Sequence, residues 1–151
     1  MSPLKSLYQG VPAGAILTRE QAQAIAERTV KMSKSDAINV SIGTNYNTNV
    51  RFADNQMSTA GSIVDAGVAV QSSFGPKHAV VTTNDLSEAA LRRCVEQSEV
   101  LARLAPDDPE AMPGLEAQQY ARVDAYFDST AAVDAAERAR AALTALAPAR
   151  K

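Results

Sequence analysis

Histidine and cysteine are almost absent from this sequence, which has one of each among 151 residues. The usual Cys₄, Cys₂His₂ and His₃ zinc sites need more ligands than His78 and Cys94 can supply. A single cysteine also excludes a disulfide within the chain, which favours a reducing compartment. We therefore expect a cytoplasmic protein without a zinc site in this chain.

A charge excess and long apolar runs are also missing. The chain has 15 Lys and Arg against 17 Asp and Glu, a net charge of −2. Nucleic-acid binders cluster cations against phosphates, and no such cluster is present, so we expect no nucleic-acid partner. No stretch approaches the ~20 apolar residues that span a bilayer, so we expect no membrane partner. With 5% aromatic residues and no Trp, the core must consist of small aliphatic side chains.

The N-terminal part of the chain divides into an arm and a helix. Residues 1–17 hold proline and glycine without a hydrophobic period, so we predict a flexible arm. Order is predicted to begin at Thr18, because Thr18 and Gln21 have the spacing of a capping box. Apolar residues at helical spacing then continue toward Lys31 and Lys34, which predicts an amphipathic helix.

The hydrophobic period then changes to that of strands, and residues typical of turns separate the segments. Alternating apolar residues predict strands at 38–42, 50–52, 64–70 and 79–83, with turns at Asn45 to Asn47, Asp54-Asn55 and Phe74 to Lys77. Short connections join antiparallel neighbours, so we predict a four-stranded, mainly antiparallel meander. The pair Gly61-Ser62 predicts a bulge or bend in the third strand.

The C-terminal half is predicted to contain two helices and a linker. A strong amphipathic helix spans about Leu86 to Leu104, and Pro106 ends it. An Ala-rich helix follows from Ser129 or Asp134, with a narrow stripe formed by Val133, Ala136, Ala139, Leu143 and Leu146. The predicted fold is α+β, with a domain at 18–105, a Pro-rich linker at 106–128 and a C-terminal helix at 129–151 that leads to a further domain.

Two residues could carry nucleophilic chemistry, and for each we favour a structural interpretation. His78 lies near Ser72 and Ser73, but the three flank a Gly-Pro turn with no nucleophile elbow or oxyanion-hole motif. We therefore interpret His78 as an exposed turn residue. Cys94 falls on the apolar stripe of the long helix, where a thiol behaves as a small hydrophobic group.

Three short segments are likewise interpreted as structural. Asp107, Asp108 and Glu110 lie among prolines, which is typical of a solvated loop rather than a cation site. The segment 10–14 has glycines but lacks the Lys-Ser/Thr of a phosphate loop. The asparagines at 45, 47 and 49 indicate a hairpin turn, although they could present amides to a partner. A meander also has two edges, and a free edge can accept an extended peptide as an added strand.

Several short motifs occur in an order that resembles a known family. They are Ser35-Asp36-Ala37, Val50-Arg51-Phe52-Ala53-Asp54-Asn55, Asp65-Ala66-Gly67-Val68-Ala69-Val70, Thr82-Thr83-Asn84-Asp85-Leu86-Ser87, Ala90-Leu91-Arg92-Arg93, Pro106-Asp107-Asp108-Pro109, Met112-Pro113-Gly114-Leu115 and Tyr126-Phe127-Asp128. Together they resemble the N-terminal domain of the TldD/PmbA family, over most of residues 18–147.

The resemblance implies a role in proteolysis but no chemistry in this chain. Family members are cytoplasmic metallopeptidases, once labelled modulators of DNA gyrase, that pair as TldD/TldE dimers and cleave unfolded or short peptides in an internal chamber. The TldD-type metal motif, His-Glu-x-x-x-His with a later Cys, has no counterpart here, so zinc is expected only in a full-length TldD-type subunit. We assign no catalytic, cofactor-binding or metal-binding residue to the chain and expect it to be inactive alone.

The resemblance leaves TldD and TldE/PmbA types open, with the Thr-Asn-Asp-Leu-Ser stretch closer to the latter. Our leading hypothesis is a non-catalytic N-terminal domain of a peptidase subunit, which contributes to dimer assembly and to the peptide chamber. Its partners would be a TldD/TldE-like subunit or a second copy, and unfolded or short peptides. The alternative is a stand-alone peptide- or protein-binding module that uses an exposed sheet edge. An enzyme that uses His78 with Ser72 or Ser73 is the third hypothesis.

Overall fold

The computed structural model describes residues 16–150 and has the predicted α+β fold. Its elements in chain order are α1 (Arg19–Val30), β1 (Ala37–Ala53), β2 (Gln56–Phe74), β3 (Lys77–Thr83), α2 (Glu88–Leu104), α3 (Asp128–Ala131), α4 (Ala135–Leu146) and a 3₁₀ turn (Ala147–Arg150). Most of the predicted flexible arm, residues 1–15, lies outside the described residues. Within the described part, no helix has the length and apolar character needed to cross a membrane.

Among residues 16–150 the sheet has three strands in the order β1-β2-β3, so the prediction of four strands was wrong in this detail. The first two predicted strands are one long strand, because β1 continues through the turn predicted at Asn45 to Asn47. The hairpin instead closes at Asp54 and Asn55, whose φ angles of 51° and 56° are typical of a type I′ turn. The asparagine side chains alternate along β1 with Thr44, Tyr46 and Thr48, which are residue types that favour strands.

β2 also continues through Gly61 and Ser62, where the sequence predicts a bulge or bend. A Cβ atom at Gly61 would lie 2.7 Å from Asn49 Oδ1. The glycine therefore provides space for a side chain of the paired strand, which is the other common reason for glycine within a strand.

The chain divides into two compact units, of which only residues 16–150 are described: Met1–Tyr46 with Val64–Gly114, and Asn47–Ile63 with Leu115–Lys151. The first unit contains α1, β3, α2 and the adjoining parts of β1 and β2. The second contains the tip of the β1–β2 hairpin and the C-terminal helices. The predicted domain boundaries at residues 105 and 128 stay a prediction.

The core of the first unit lies between the sheet and the two helices. Its buried cluster consists of Leu17, Ile25, Val68, Val70, Leu91, Cys94 and Val95, and side chains from all three strands pack against it. These residues have small aliphatic side chains or a thiol, as the low aromatic content predicts. Burial of each such side chain contributes about 1.5–3 kcal/mol.

Helix ends in the first unit have the polar caps that free amide groups require. The predicted capping box is confirmed, because Thr18 Oγ1 accepts from the Gln21 amide at 3.2 Å and Gln21 Oε1 accepts from the Thr18 amide at 2.9 Å. Helix α2 begins at Glu88, two residues after the predicted start, because the Ser87 hydroxyl caps the Ala90 amide at 3.3 Å.

A buried carboxylate connects α2 to the segment that follows α1. Glu99 is only 6% exposed, and its Oε1 accepts hydrogen bonds from the Ser33 hydroxyl and the Lys34 amide. Arg103 lies one turn further along α2 and places its guanidinium 4.0 Å from the ring centroid of Phe74, at the end of β2. Helix α2 is therefore attached to its surroundings by polar contacts as well as by its apolar face.

The second unit has a smaller apolar core. Helix α4 begins after Asp134, whose carboxylate accepts from the Glu137 amide at 2.7 Å. Its buried residues are Ala142 and Leu146, so the predicted stripe is correct at Leu146 and wrong at Leu143, which is 45% exposed. The buried face is rotated about the helix axis by part of a turn from the predicted one, because Ala142 and Leu146 are four residues apart and share a face that excludes Leu143.

Candidate functional site

Ser72 and Ser73 do not form a catalytic pair with His78. Ser72 is fully buried, and its Oγ lies 2.7 Å from the Oγ of Ser98 on α2. Ser73 lies opposite His78 in the β2–β3 hairpin, but in the described part of the chain no hydrogen bond joins the histidine to either serine. The geometry therefore provides no base positioned to activate a serine hydroxyl, which nucleophilic catalysis requires.

Cys94 has the surroundings of a core thiol. It is 2% exposed, and its Sγ lies 3.3 Å from the carbonyl oxygen of Val81 on β3, to which it donates. Burial raises the pKa of the Cys94 thiol, since the interior disfavours the thiolate. Reactive cysteines have the opposite properties, a lowered pKa and access to solvent.

The acidic residues after α2 attach a loop to the start of β3. Asp107 lies 3.9 Å from Lys77 Nζ, and Asp108 lies 3.8 Å from His78 Nδ1. The Asp108 amide also donates to the Pro76 carbonyl at 3.1 Å. Among residues 16–150 no three His, Cys, Asp or Glu side chains are grouped as a metal site would require.

The outer edge of β3 is the next candidate. The two-residue turn Gly75-Pro76 joins β2 to β3, and Gly75 has φ +55°, which favours glycine there. In such a hairpin the closing pair, Phe74 and Lys77, exchanges backbone hydrogen bonds, and successive pairs then alternate between bonded and non-bonded. The next pair, Ser73 and His78, is therefore a non-bonded pair whose backbone groups point away from each other.

A separate hydrogen bond confirms this alternation. The carbonyl oxygen of Ser73 accepts from the amide of Asp36, just before β1, at 3.0 Å, and so points away from β3. By the same alternation the backbone N–H and C=O groups of His78, Val80 and Thr82 point outward from β3. No further strand pairs with this edge among the residues that the structure describes.

An apolar groove runs beside this edge, between β3 and α2. Its volume is about 570 Å³, and Val81, Val100 and Leu101 form its apolar surface. Arg93, Glu96 and Gln97 line the rest of it. Val100 and Leu101 are 55% and 49% exposed, although both belong to a helix whose opposite face is buried in the core.

A second set of exposed apolar side chains lies in the segment that precedes α3. Between residues 112 and 127 the chain has no regular secondary structure. Its large apolar side chains are all more than 60% exposed: Met112, Leu115, Tyr120, Val123, Tyr126 and Phe127. We call this segment the apolar segment 112–127.

The first unit is thus a small α+β domain with a buried serine pair, a core thiol and an open sheet edge. Residues 40–102 match the family model described as PmbA/TldA metallopeptidase domain 1. They include most of β1, all of β2 and β3 and nearly all of α2. The predicted resemblance to the N-terminal domain of the TldD/PmbA family is confirmed for this segment.

A solved structure has a similar fold. TldE from Thermococcus kodakarensis matches with a TM-score of 0.57 and 13% sequence identity, over 67% of this chain. At this identity the match establishes the fold. The chain spans only 22% of the length of that TldE chain. No curated protein matches the chain.

Proposed function

We propose that this chain acts as a non-catalytic N-terminal domain of a TldD/PmbA-like peptidase subunit. The match of residues 40–102 to the first domain of that family supports the assignment. Among the described residues, no three or more His, Cys, Asp or Glu side chains are grouped so that they could hold a metal ion. The domain would contribute to dimer assembly and to the wall of a peptide chamber.

The observation that carries the assembly role is the apolar segment 112–127. Tyr120 and Tyr126 are 88% and 74% exposed, and Phe127 is 63% exposed. Six large apolar side chains exposed within sixteen residues are more than a typical surface segment carries, and such exposure is typical of surfaces that another chain or domain covers. Aromatic residues are also enriched among those that dominate the energy of interfaces. We infer that a TldD/TldE-like subunit or a second copy of this chain covers the segment.

Sedimentation equilibrium tests this role, with the chain alone and mixed with a TldD-type subunit from the same cell. We expect association in at least one of the two samples. Tyr120→Ser and Tyr126→Ser should each weaken it by about tenfold, because each removes about 1.5 kcal/mol or more of aromatic burial. Tyr46→Ser, at an exposed tyrosine outside the segment, is the matched control and should have no effect. A monomer in both samples would refute the assembly role.

Peptide hydrolysis and bound zinc test the non-catalytic role. We expect the isolated chain to cleave no unfolded peptide and to retain no zinc after dialysis. Either property would contradict the proposal.

The proposal also assigns any effect on DNA gyrase to protein turnover, which is an indirect effect. The net charge of −2 offers no basis for DNA binding. Salt-sensitive DNA binding by this chain would contradict that part.

The second candidate function is a stand-alone peptide-binding module. The open edge of β3 favours it, because unpaired backbone groups and an apolar groove occur side by side there. The two functions are compatible, since a domain in the wall of a peptide chamber could itself bind an extended peptide. Saturable binding of a peptide by the isolated chain would distinguish this function from assembly alone.

A further inference from the structure

We propose that the outer edge of β3 and the groove beside it bind a short extended peptide as a fourth strand. The site consists of the outward backbone groups of Val80 and Thr82 and the groove surface of Val81, Val100 and Leu101. We call it the edge groove. The proposal rests on the second candidate function and names its site. It is independent of the assembly role, because it needs no second subunit and uses none of the apolar segment 112–127.

The backbone geometry requires an extended occupant. The N–H and C=O groups of Val80 and Thr82 point outward in the plane of the sheet, and only a chain in β conformation can satisfy both pairs. Side chains of an added strand alternate between the two faces of the sheet. Residues opposite Val81 would therefore enter the groove, and those opposite Val80 would lie on the other face.

The groove selects apolar residues on one face of the added strand, and the other face is next to Val80. In the groove, a side chain would contact Val81, Val100 and Leu101. On the other face it would contact Val80, which is 54% exposed. The charged groups at the groove, Arg93 and Glu96, have opposite signs, so the peptide needs no net charge.

The length of the free edge selects a short segment rather than a second folded domain. The loop after α2 occupies the start of β3, where Asp108 contacts Pro76 and His78. The free edge is limited to the remaining residues of the strand, up to Thr83. An edge of this length pairs with about three to five residues of an added strand. A segment that short buries far less surface than the 1,200–2,000 Å² that a stable interface between folded proteins buries.

The opposite edge of the sheet does not offer the same combination. Within the first unit, the inward side chains of β1 are Ile38, Val40 and Ile42, and all three pack against the core cluster. The neighbouring outward positions, Asn39 and Ser41, are polar. An added strand at β1 would therefore find backbone partners there but fewer apolar contacts.

Fluorescence anisotropy with two probe peptides tests the proposal on the full chain. The first probe is the labelled peptide Lys-Thr-Val-Thr-Leu-Thr-Lys. The second is the same peptide with N-methyl groups on the amides of the two Thr residues that flank Leu. In an antiparallel added strand whose Val and Leu enter the groove, these are the donors that face β3, and every side chain is kept. We expect saturable binding of the first probe, and binding weakened at least about fivefold for the second, the equivalent of one lost hydrogen bond.

Variants of the protein test the same contacts by changing β3 and α2 instead of the peptide. Val80→Pro removes an outward N–H that β2 does not use, so the strand should tolerate it as edge strands do. It should weaken binding by about fivefold or more, whereas Val80→Ala, which keeps the N–H, should weaken it less. Leu101→Gln should weaken binding through the groove, and Val30→Gln, at a similarly exposed apolar residue of α1, should not.

Three results would overturn the proposal. One is no saturable binding of the unmethylated probe, and another is equal binding of the two probes. The third is self-association of the chain that Val80→Pro abolishes, which would assign the edge to a second copy. If circular dichroism shows that Val80→Pro does not fold, the comparison of the two probes still tests the proposal. Loss of the assembly role would leave these results unchanged, so the two proposals fail separately.

Discussion

The buried serine pair permits a prediction of which hydroxyl depends on the other. Ser72 and Ser98 have their Oγ atoms 2.7 Å apart, and Ser98 Oγ also donates to the Val95 carbonyl at 2.8 Å. A serine hydroxyl has only one hydrogen to donate. Because Ser98 uses that hydrogen toward Val95, Ser72 must be the donor in the bond between the two serines.

Because of this direction, the two alanine substitutions should lower the free energy of unfolding by different amounts. Ser98→Ala leaves the Ser72 hydroxyl buried without its acceptor, at a cost of about 1–3 kcal/mol. Alanine has a higher helix propensity than serine, which offsets about 0.5 kcal/mol of this cost. Ser72→Ala removes one hydrogen bond worth about 1 kcal/mol, but Ser98 keeps its bond to Val95. The double variant leaves no hydroxyl unpaired, so its cost should fall below the sum of the single costs by about 1 kcal/mol.

Urea denaturation of the wild type, both single variants and the double variant measures these free energies of unfolding. The chain has no Trp, so far-UV circular dichroism is the suitable signal. Ser62→Ala, at an exposed position of β2, is the control and should change the free energy by less than about 0.5 kcal/mol. A larger cost for Ser72→Ala than for Ser98→Ala, or strictly additive costs, would refute the assigned direction.

Three further predictions follow from single positions. Gly75→Ala should cost about 1 kcal/mol of unfolding free energy, because Gly75 has φ +55° with open space around it; Gly114→Ala, also in open space but without a positive φ, should be neutral in the same urea titration. The Cys94 thiol should react with a disulfide reagent at a rate set by unfolding, since the thiol is buried; equal rates in native and denatured protein would contradict this. Hydrogen bonds from the backbone and then the side chain of Ser87 lower the pKa of Asp85, so its contribution to stability should be present near neutral pH and lost as the pH falls below about 4. Asp85→Asn should remove that part of the pH dependence, and an unchanged pH profile in thermal unfolding would contradict the assignment.

The sequence predicted those features of the fold that depend on neighbouring residues. The capping box at Thr18 and Gln21 needs only two side chains at a fixed spacing, and both of its hydrogen bonds are present. The turn at Asp54 and Asn55 likewise depends on residues that tolerate positive φ. The turn predicted at Asn45 to Asn47 failed because pairing with β2 continues past it, and local residue preference cannot account for that pairing.

The sequence also contained part of the edge groove, although it could not identify the free edge. A two-residue turn at Gly75-Pro76 determines which backbone groups of β3 face β2, so the outward positions of Val80 and Thr82 follow from turn length alone. The apolar side of the groove does not, because Val100 and Leu101 lie about twenty residues further along the chain on α2. Their helix has a wide apolar stripe, and sequence periodicity cannot divide such a stripe between the core and a surface beside an edge.

The edge groove therefore depends both on the length of the Gly75-Pro76 turn and on the side chains that α2 places next to β3. A turn longer by one residue would move the side chains of β3 to opposite faces, so that Val80 rather than Val81 would face α2. Val81 would then leave the groove, and the thiol of Cys94 would lose its carbonyl partner on β3. The register that packs Val81 against the core is thus the same register that turns the backbone of Val80 and Thr82 outward, so the stability of the core itself maintains the open edge.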